Sequence, residues 1–487
     1  MIDHFRSSAA WIACGLFAAS PAFAQAPPAL SLSDAVKEAL VQNERVVNQA
    51  DTIAHADLGL RLARNTFRPK VTPNIFGSFG RTDVSSQTYR VDVSQKLVTG
   101  TELRFSTGTE SAQIPGVAST DDVLFYNADT TLTLSQPLLR GFGRGVARRS
   151  LTAAELRKDD AARLQSLSEQ QVAVEVAAAY YRVVSQQTLV DVARQSLLRA
   201  RRLRDASEAK LDAGLVSQLD VLRSQQLVSQ AELQLFDAQS AVEDARDQLT
   251  FLMGRRTTEA FIVDAAIPRP AVEPIDVSAA TAIALANRLD LKSRIAARDD
   301  ADNQIRFSRN QLLPQVDVNL ALTRRETSPT FRDSFGLDGY RFATFFTIAM
   351  PVDRTAQQVE YQSAVIDRDR RRREAETLER QIADNVRQTV RERERLIRNL
   401  AAAENDVNLS TREVEVAQLR YQNGLSNNLD VVTAEAGLLQ AESRRIHALA
   451  DSAVATLRLR AVLGVFNPRT DMSGPASVFS SAALLVK

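Results

Sequence analysis

Cysteine and histidine are nearly absent from this sequence of 487 residues, and proline and glycine are missing from long stretches of it. The one cysteine, Cys14, lies in an apolar run from Ala9 to Ala19 that follows Arg6. That run is too short to span a bilayer as a stable helix. With Ala22-Phe23-Ala24 behind it, the segment reads as a signal peptide, residues 1–24, cleaved before Gln25. Lipid attachment at Cys14 is the competing reading, but that residue sits mid-run with apolar residues still following. Without the leader the chain holds no thiol, which excludes disulfides and cysteine metal sites in the oxidising compartment it enters.

Three histidines exist, His4, His55 and His447, the first of them in the leader. No histidine metal site or catalytic triad can be assembled from them. No glycine-rich phosphate loop follows a strand, and Gly141–Gly145 (GFGRG) fits a strand-to-helix joint better. Neither an enzyme nor a cofactor is therefore expected. Charge is balanced, 60 Lys and Arg against 59 Asp and Glu. The run Arg370-Arg371-Arg372-Arg373 could bind nucleic acid, but amid Asp and Glu in an exported chain it reads as a solvated helix face.

What the sequence does contain is a duplication. Residues 210–254 and 420–464 align without a gap at an offset of about 210 residues. Each copy sets a Gly-Leu pair (Gly214-Leu215, Gly424-Leu425), then a Leu-Asp-Val around Asp220 or Asp430, then a helical pattern ending at a second glycine. Each reads as the tip and return arm of an antiparallel helical hairpin. The return arms carry heptads: Val221, Val228, Leu235, Val242 and Leu249 in the first, Val431, Leu438, Arg445, Ser452 and Leu459 in the second. Alanines (Ala231, Ala238, Ala245; Ala434, Ala441, Ala448, Ala455) run three residues behind. The outgoing arm repeats the pattern at Val176, Val183, Val190 and Leu197. A 3.5-residue period implies left-handed supercoiling, and an alanine seam lets backbones approach closely. A coiled-coil stalk with no cavity satisfies this pattern as well.

The whole chain divides accordingly: a first repeat over 25–255, a connector over 256–275 holding Pro268, Pro270 and Pro274, a second repeat over 276–466, and a tail, 467–487. Within each repeat a helical stretch closes on a proline, Pro69 or Pro314, and an extended region follows. There, Val316, Val318, Leu320 and Leu322 alternate with mostly polar neighbours; Leu132 and Leu134 do likewise, and Tyr340, Phe342, Phe346, Ile348 and Met350 share one face. Such strands fit lipid on one side and water on the other, or a half-buried sheet of a soluble domain. An additional candidate hairpin spans Val91 to Thr107. Next come the rods, about Arg144 to Leu211 and about Gln357 to Tyr421, free of proline and, Gly145 apart, of glycine. At 1.5 Å per residue, roughly 65 residues make a rod of about 100 Å.

This strand–rod–tip plan, with its two Gly-Leu…Leu-Asp-Val tips, two Pro-x-Val strand entries and Ser135-Gln136-Pro137-Leu138-Leu139, resembles the TolC family of outer-membrane efflux ducts. The resemblance covers nearly all of the chain beyond the leader. It implies a mainly α protein with a membrane β-barrel: a homotrimer whose protomers each give four strands to a shared twelve-stranded barrel. An α-helical tunnel of twelve helices would extend into the periplasm and dock on a periplasmic adaptor of an inner-membrane pump. By the same resemblance, Asp430 falls on a pore-constriction aspartate, Asp220 on the aspartate that helps hold the closed end, and Tyr421 on the tyrosine of that lock. The lock arginine is replaced by Ser426, and a second constriction aspartate by Thr433. Gly214, Leu215, Val216, Gly424, Leu425 and Ser426 form the tips that would meet the adaptor. Asp220 also suits a helix N-terminus as a plain macrodipole charge. The reading from a different class is a soluble periplasmic coiled-coil adaptor or scaffold.

Overall fold

A computed structural model describes residues 29–77, 85–113, 125–256, 261–263, 266–335 and 339–471. The signal peptide and the last part of the tail lie outside the described residues. In chain order the first half comprises β1 (Ala29–Leu30), α1 (Leu32–Gln42), α2 (Glu44–Asn65), β2 (Lys70–Gly77), β3 (Ser85–Lys96), β4 (Glu102–Gln113), β5 (Phe125–Pro137), a helical turn α3 (Arg144–Ala147), α4 (Arg149–Asp212) and α5 (Gln218–Met253). After β6 (Ile262–Val263) the second half comprises α6 (Val277–Asn287), α7 (Leu289–Gln311), β7 (Gln315–Ser328), β8 (Arg341–Ala349), α8 (Thr355–Gln422), α9 (Asn428–Val462) and α10 (Pro468–Asp471).

The rods α4 and α8 run 64 and 68 residues, about 100 Å each. On α4, Val176, Val183, Val190 and Leu197 are all buried, as are Ala179, Ala193 and Ala200. On the return arms Leu235, Ala238, Arg445 and Ala448 are only half-buried; the other heptad and alanine positions given above are buried. The half-buried ones lie midway along each arm. Rod α4 thus packs as its heptad dictates, and the return arms do so toward both of their ends.

Near the tips the helices form one layer in the order α5–α4–α9–α8; near the strands α2 packs on α4 and α7 on both α4 and α8. Arg149 of α4 holds Asp300 of α7 through two bonds, at 2.7 and 2.9 Å. Asn43 separates α1 from α2 by capping both: its Oδ1 accepts from Arg45 N, and its own N–H closes α1 on Ala39 O. The Asn43 amide then donates to Leu252 O at 2.8 Å, tying this corner to the end of α5. At one edge of the layer lie α5 and, toward the strands, α2, which packs on α4 and α1; at the other lies α8, which packs on α9, α7 and α6.

Among the described residues six strands form an antiparallel sheet in the order β2-β3-β4-β5-β7-β8, and β1 and β6 pair apart from it as a short parallel sheet. This differs from the four strands per protomer that the resemblance implies. The difference is the hairpin of β3 and β4, longer than the Val91–Thr107 segment read from sequence, and joined to the sheet along both sides. One rung of directly opposed residues crosses all six strands: Val71, Val93, Phe105, Leu132, Leu322 and Phe342. The next rung, on the opposite face, is Thr72, Asp92, Ser106, Thr131, Thr323 and Arg341. Successive residues of a strand point to opposite faces, so the sheet has one apolar and one polar surface. On the polar face Arg90 meets Asp129 at 3.0 Å and Asn74 donates to Asp92 at 2.9 Å. The edges β2 and β8 each have one unpaired side.

Candidate functional site: the two hairpin tips

Both tips are built by the same backbone device. Gly214 and Gly424 take φ of 72° and 71°, the left-handed region that glycine occupies without strain. This turns the chain so that Leu215 N donates to Lys210 O and Gly214 N to Leu211 O, each at 2.8 Å. Leu425 N likewise donates to Arg420 O at 2.8 Å and Gly424 N to Tyr421 O at 3.2 Å. These paired bonds satisfy the last carbonyls of each rod. Leu215 and Leu425, 73% and 70% exposed, project from the ends of the molecule. Behind them Val216 and Ser426 are half-buried, and Ser426 Oγ is enclosed without a hydrogen-bond partner among the described residues.

The return helices restart on side-chain caps. Ser217 caps α5 in a reciprocal capping box with Asp220, whose carboxylate also accepts from Ser217 Oγ at 2.7 Å and lies 3.7 Å from Arg223. Asn427 caps α9 by accepting from Asp430 N at 3.3 Å. The two aspartates hold the same helix position yet differ in environment. Asp220 is occupied, its side chain 14% exposed. Asp430 is exposed, and its carboxylate has no hydrogen bond or ion pair among the described residues. One substitution accounts for part of this: Arg223 of the first copy corresponds to Thr433 of the second.

Between the tips the two hairpins are joined by polar groups. The buried Tyr421 shares a hydrogen bond of 2.9 Å with Ser207 Oγ. Lys210 Nζ donates to Tyr421 O at 2.5 Å and sits 4.0 Å from the centre of its ring. Asn428, fully buried, donates to Asp220 O at 2.7 Å and to Ser207 Oγ at 3.3 Å. Tyr421 thus meets Asp220 through Ser207 and Asn428 rather than directly. Ser207, Lys210 and Asn428 did not stand out in the sequence. A signal was present, however: Tyr421 and Asn428 occupy positions where the first copy has Leu211 and Gln218. Two similar hairpins must differ where each supplies its own half of a joint.

Farther up the rods lies a buried charge cluster. Arg199 of α4 donates to Glu435 of α9 at 2.7 Å, Glu435 accepts from Gln418 at 2.9 Å, and Glu442 stands 3.9 Å from Arg199. Burial pushes the Glu442 carboxyl above its ordinary value, against the opposing pull of Arg199 and Arg445. A carboxyl raised on folding favours the folded state below its unfolded pKa and loses that contribution as pH rises through the shifted value. Glu442→Gln should therefore raise the melting temperature by a few degrees at neutral pH and leave it unchanged below pH 4.5. Melting curves of both proteins across that range check it; a variant that melts lower at neutral pH would mean the ionised carboxylate stabilises the joint.

Among the described residues no group of three or more His, Cys, Asp and Glu could hold a metal ion, and no helix is long and apolar enough to cross a membrane. The model of the family described as outer membrane efflux protein matches residues 35–255 and 281–465. The fusaric acid resistance protein FusA of Burkholderia cepacia is 28% identical over 212 residues, 42% of this chain and 38% of that protein, so the match spans about two fifths of the relative's length. Among solved structures, the outer-membrane channel OprN superposes with a TM-score of 0.67 at 20% identity, covering 89% of this chain and 90% of its own. VceC of Vibrio cholerae gives 0.66 at 16% identity, covering 89% and 96%. The open state of the MtrE outer membrane channel of Neisseria gonorrhoeae gives 0.65 at 18%, covering 89% of each chain. With both repeats matched, the chain belongs to the outer membrane efflux protein family, non-enzymatic ducts of the outer membrane.

Proposed function

We propose that three copies of this chain close into one continuous duct that carries cargo from the periplasm across the outer membrane. The observation that supports this reading best is the match between the protomer's two free edges. One edge runs β2–α2–α5 and the other β8–α8. Near the strands, Leu62 of α2 and Val359 of α8 are both exposed, each about 5 Å from the strand end of its helix. Near the tips, α5 exposes Leu219, Leu222, Leu233 and Phe236, and α8 exposes Leu409, Val416 and Leu419. Leu233 and Leu409 both lie about 20 Å above the turns. Apolar residues at equal heights on opposite edges suit a head-to-tail interface that closes into a ring. The edge strands point the same way, since an open sheet edge cannot persist in lipid. A soluble periplasmic adaptor or scaffold would instead leave the apolar rung of the sheet in water.

In this reading the tips dock on a periplasmic adaptor and, through it, on an inner-membrane pump of a tripartite efflux or type I secretion system. Leu215 and Leu425 are the apolar contacts, and the left-handed glycines hold them forward. Leu215→Asp combined with Leu425→Asp should abolish export and leave the amount and thermal stability of the assembly unchanged. A natural first cargo to assay is fusaric acid, the compound for which the relative FusA is named as a resistance protein. Normal export by the double variant would take docking away from the tips.

Asp430 would form a ring of three carboxylates at the narrow end. Unit charges about 6 Å apart repel by roughly 0.7 kcal/mol in bulk water, and several-fold more where the dielectric falls. Such a ring persists wet and draws cations, as carboxylate rings do in cation channels. Asp220, held by Ser217 and Arg223, contributes less, and Tyr421 acts by anchoring the second tip to the first. In planar bilayers under a salt gradient, Asp430→Asn should lose cation preference and divalent block. Unchanged selectivity would place Asp430 away from the pore axis, as a helix-start charge only.

A further inference from the structure

We infer that each protomer puts six strands into the barrel wall, so that the proposed trimer closes on eighteen strands where the resemblance implies twelve. The count of eighteen rests on the trimeric reading; the count of six per protomer does not. Three observations carry it. First, the β3–β4 hairpin continues the sheet's two faces without a break. Val93 and Phe105 complete the apolar rung between Val71 and Leu132, while Asp92 and Ser106 complete the polar rung between Thr72 and Thr131. A hairpin lying in the lumen or outside the membrane would have no reason to keep an apolar row in register with the wall.

Second, the hairpin's near turn is built into the joint between sheet and rod. Gly100, at φ 95°, lies so close to Gly141 that a Cβ there would stand 2.6 Å from Gly141 O. Thr101 Oγ1 donates to Gln136 Oε1 at 2.5 Å, and Gly143 N donates to Thr99 O at 3.4 Å. Gly141 N in turn donates to Asn310 Oδ1 at 2.7 Å. The GFGRG segment is thus the seat on which the hairpin stands, which gives its glycines a structural role.

Third, the widths agree. Strands about 4.8 Å apart and tilted about 40° each take about 6.3 Å of circumference, so six occupy about 38 Å and four about 25 Å. Four helices 8–10 Å apart, the number in the layer below, occupy about 32–40 Å. Six strands therefore continue the helical wall with little taper. Closed by three copies, the barrel would measure about 36 Å across its backbone, against about 24 Å for twelve strands. The outer opening would then admit whatever the tunnel passes, leaving the tips as the narrow point.

Cysteine pairs read the strand order in intact outer membranes, since residues 25–487 carry no thiol of their own. Thr72→Cys with Asp92→Cys and Ser106→Cys with Thr131→Cys should each form a disulfide within one chain under mild oxidation. Thr72→Cys with Thr131→Cys, which bond only if β2 lies directly beside β5, should form none. A bond in that third pair would put the hairpin outside the wall and overturn the inference. The mass of the detergent-extracted assembly is measured alongside. Three copies with the first two bonds gives eighteen strands; any other copy number overturns the trimeric reading and the total, while the bond pattern still decides whether the hairpin is part of the wall.

Discussion

A strand edge in hydrocarbon exposes backbone N–H and C=O groups that neither water nor lipid can satisfy, each at a cost of several kcal/mol. The sheet of this protein has two such edges, β2 and β8, and one fully apolar rung that needs lipid beside it. No single chain resolves both demands, because six strands in an open sheet cannot meet themselves. The proposed closure by further copies would satisfy them together, and the remainder of the architecture agrees with it. Each helix layer continues below a strand edge, so α2, α5 and α8 inherit the same neighbour relation as β2 and β8. In the proposed ring their exposed leucines, valines and phenylalanine would be covered rather than stranded on a surface.

The duplication gives this wall its near-symmetry and the tips their difference. Both tips share the glycine turn, which the left-handed backbone requires, and an aspartate at the same helix position. Where the copies diverge, they acquire separate tasks. Tyr421 and Asn428 of the second tip lock onto Ser207, Lys210 and the Asp220 carbonyl of the first. Arg223 neutralises one aspartate, and Thr433 leaves the other free. A polar joint of this kind, buried yet narrow, holds the hairpins in one relation to each other without filling the space between rods.

Much of this was legible from residues. Heptads and alanine seams report burial directly, since the period selects which side chains face a neighbour, and the α4 positions were found buried without exception. Strand alternation located β5, β7 and β8 for the same reason. Strand number was less accessible. The β3–β4 hairpin carries threonines, glycine and glutamates along much of its length, so its alternation shows only at Val91, Val93, Leu103 and Phe105. The tip joint was invisible to periodicity because hydrogen bonds between distant residues leave no repeat, and only the divergence between the two copies pointed to it.

The central claim is that the β2–α2–α5 edge of one protomer meets the β8–α8 edge of the next. Leu233→Cys and Leu409→Cys introduced together, then oxidised in intact membranes, test it directly, because these residues sit at equal height on opposite edges. The account predicts disulfides between chains, seen on a denaturing gel as a ladder that ends at the covalent trimer. Bonds confined to single chains, no bonds at all, or a ladder ending at another number would contradict it.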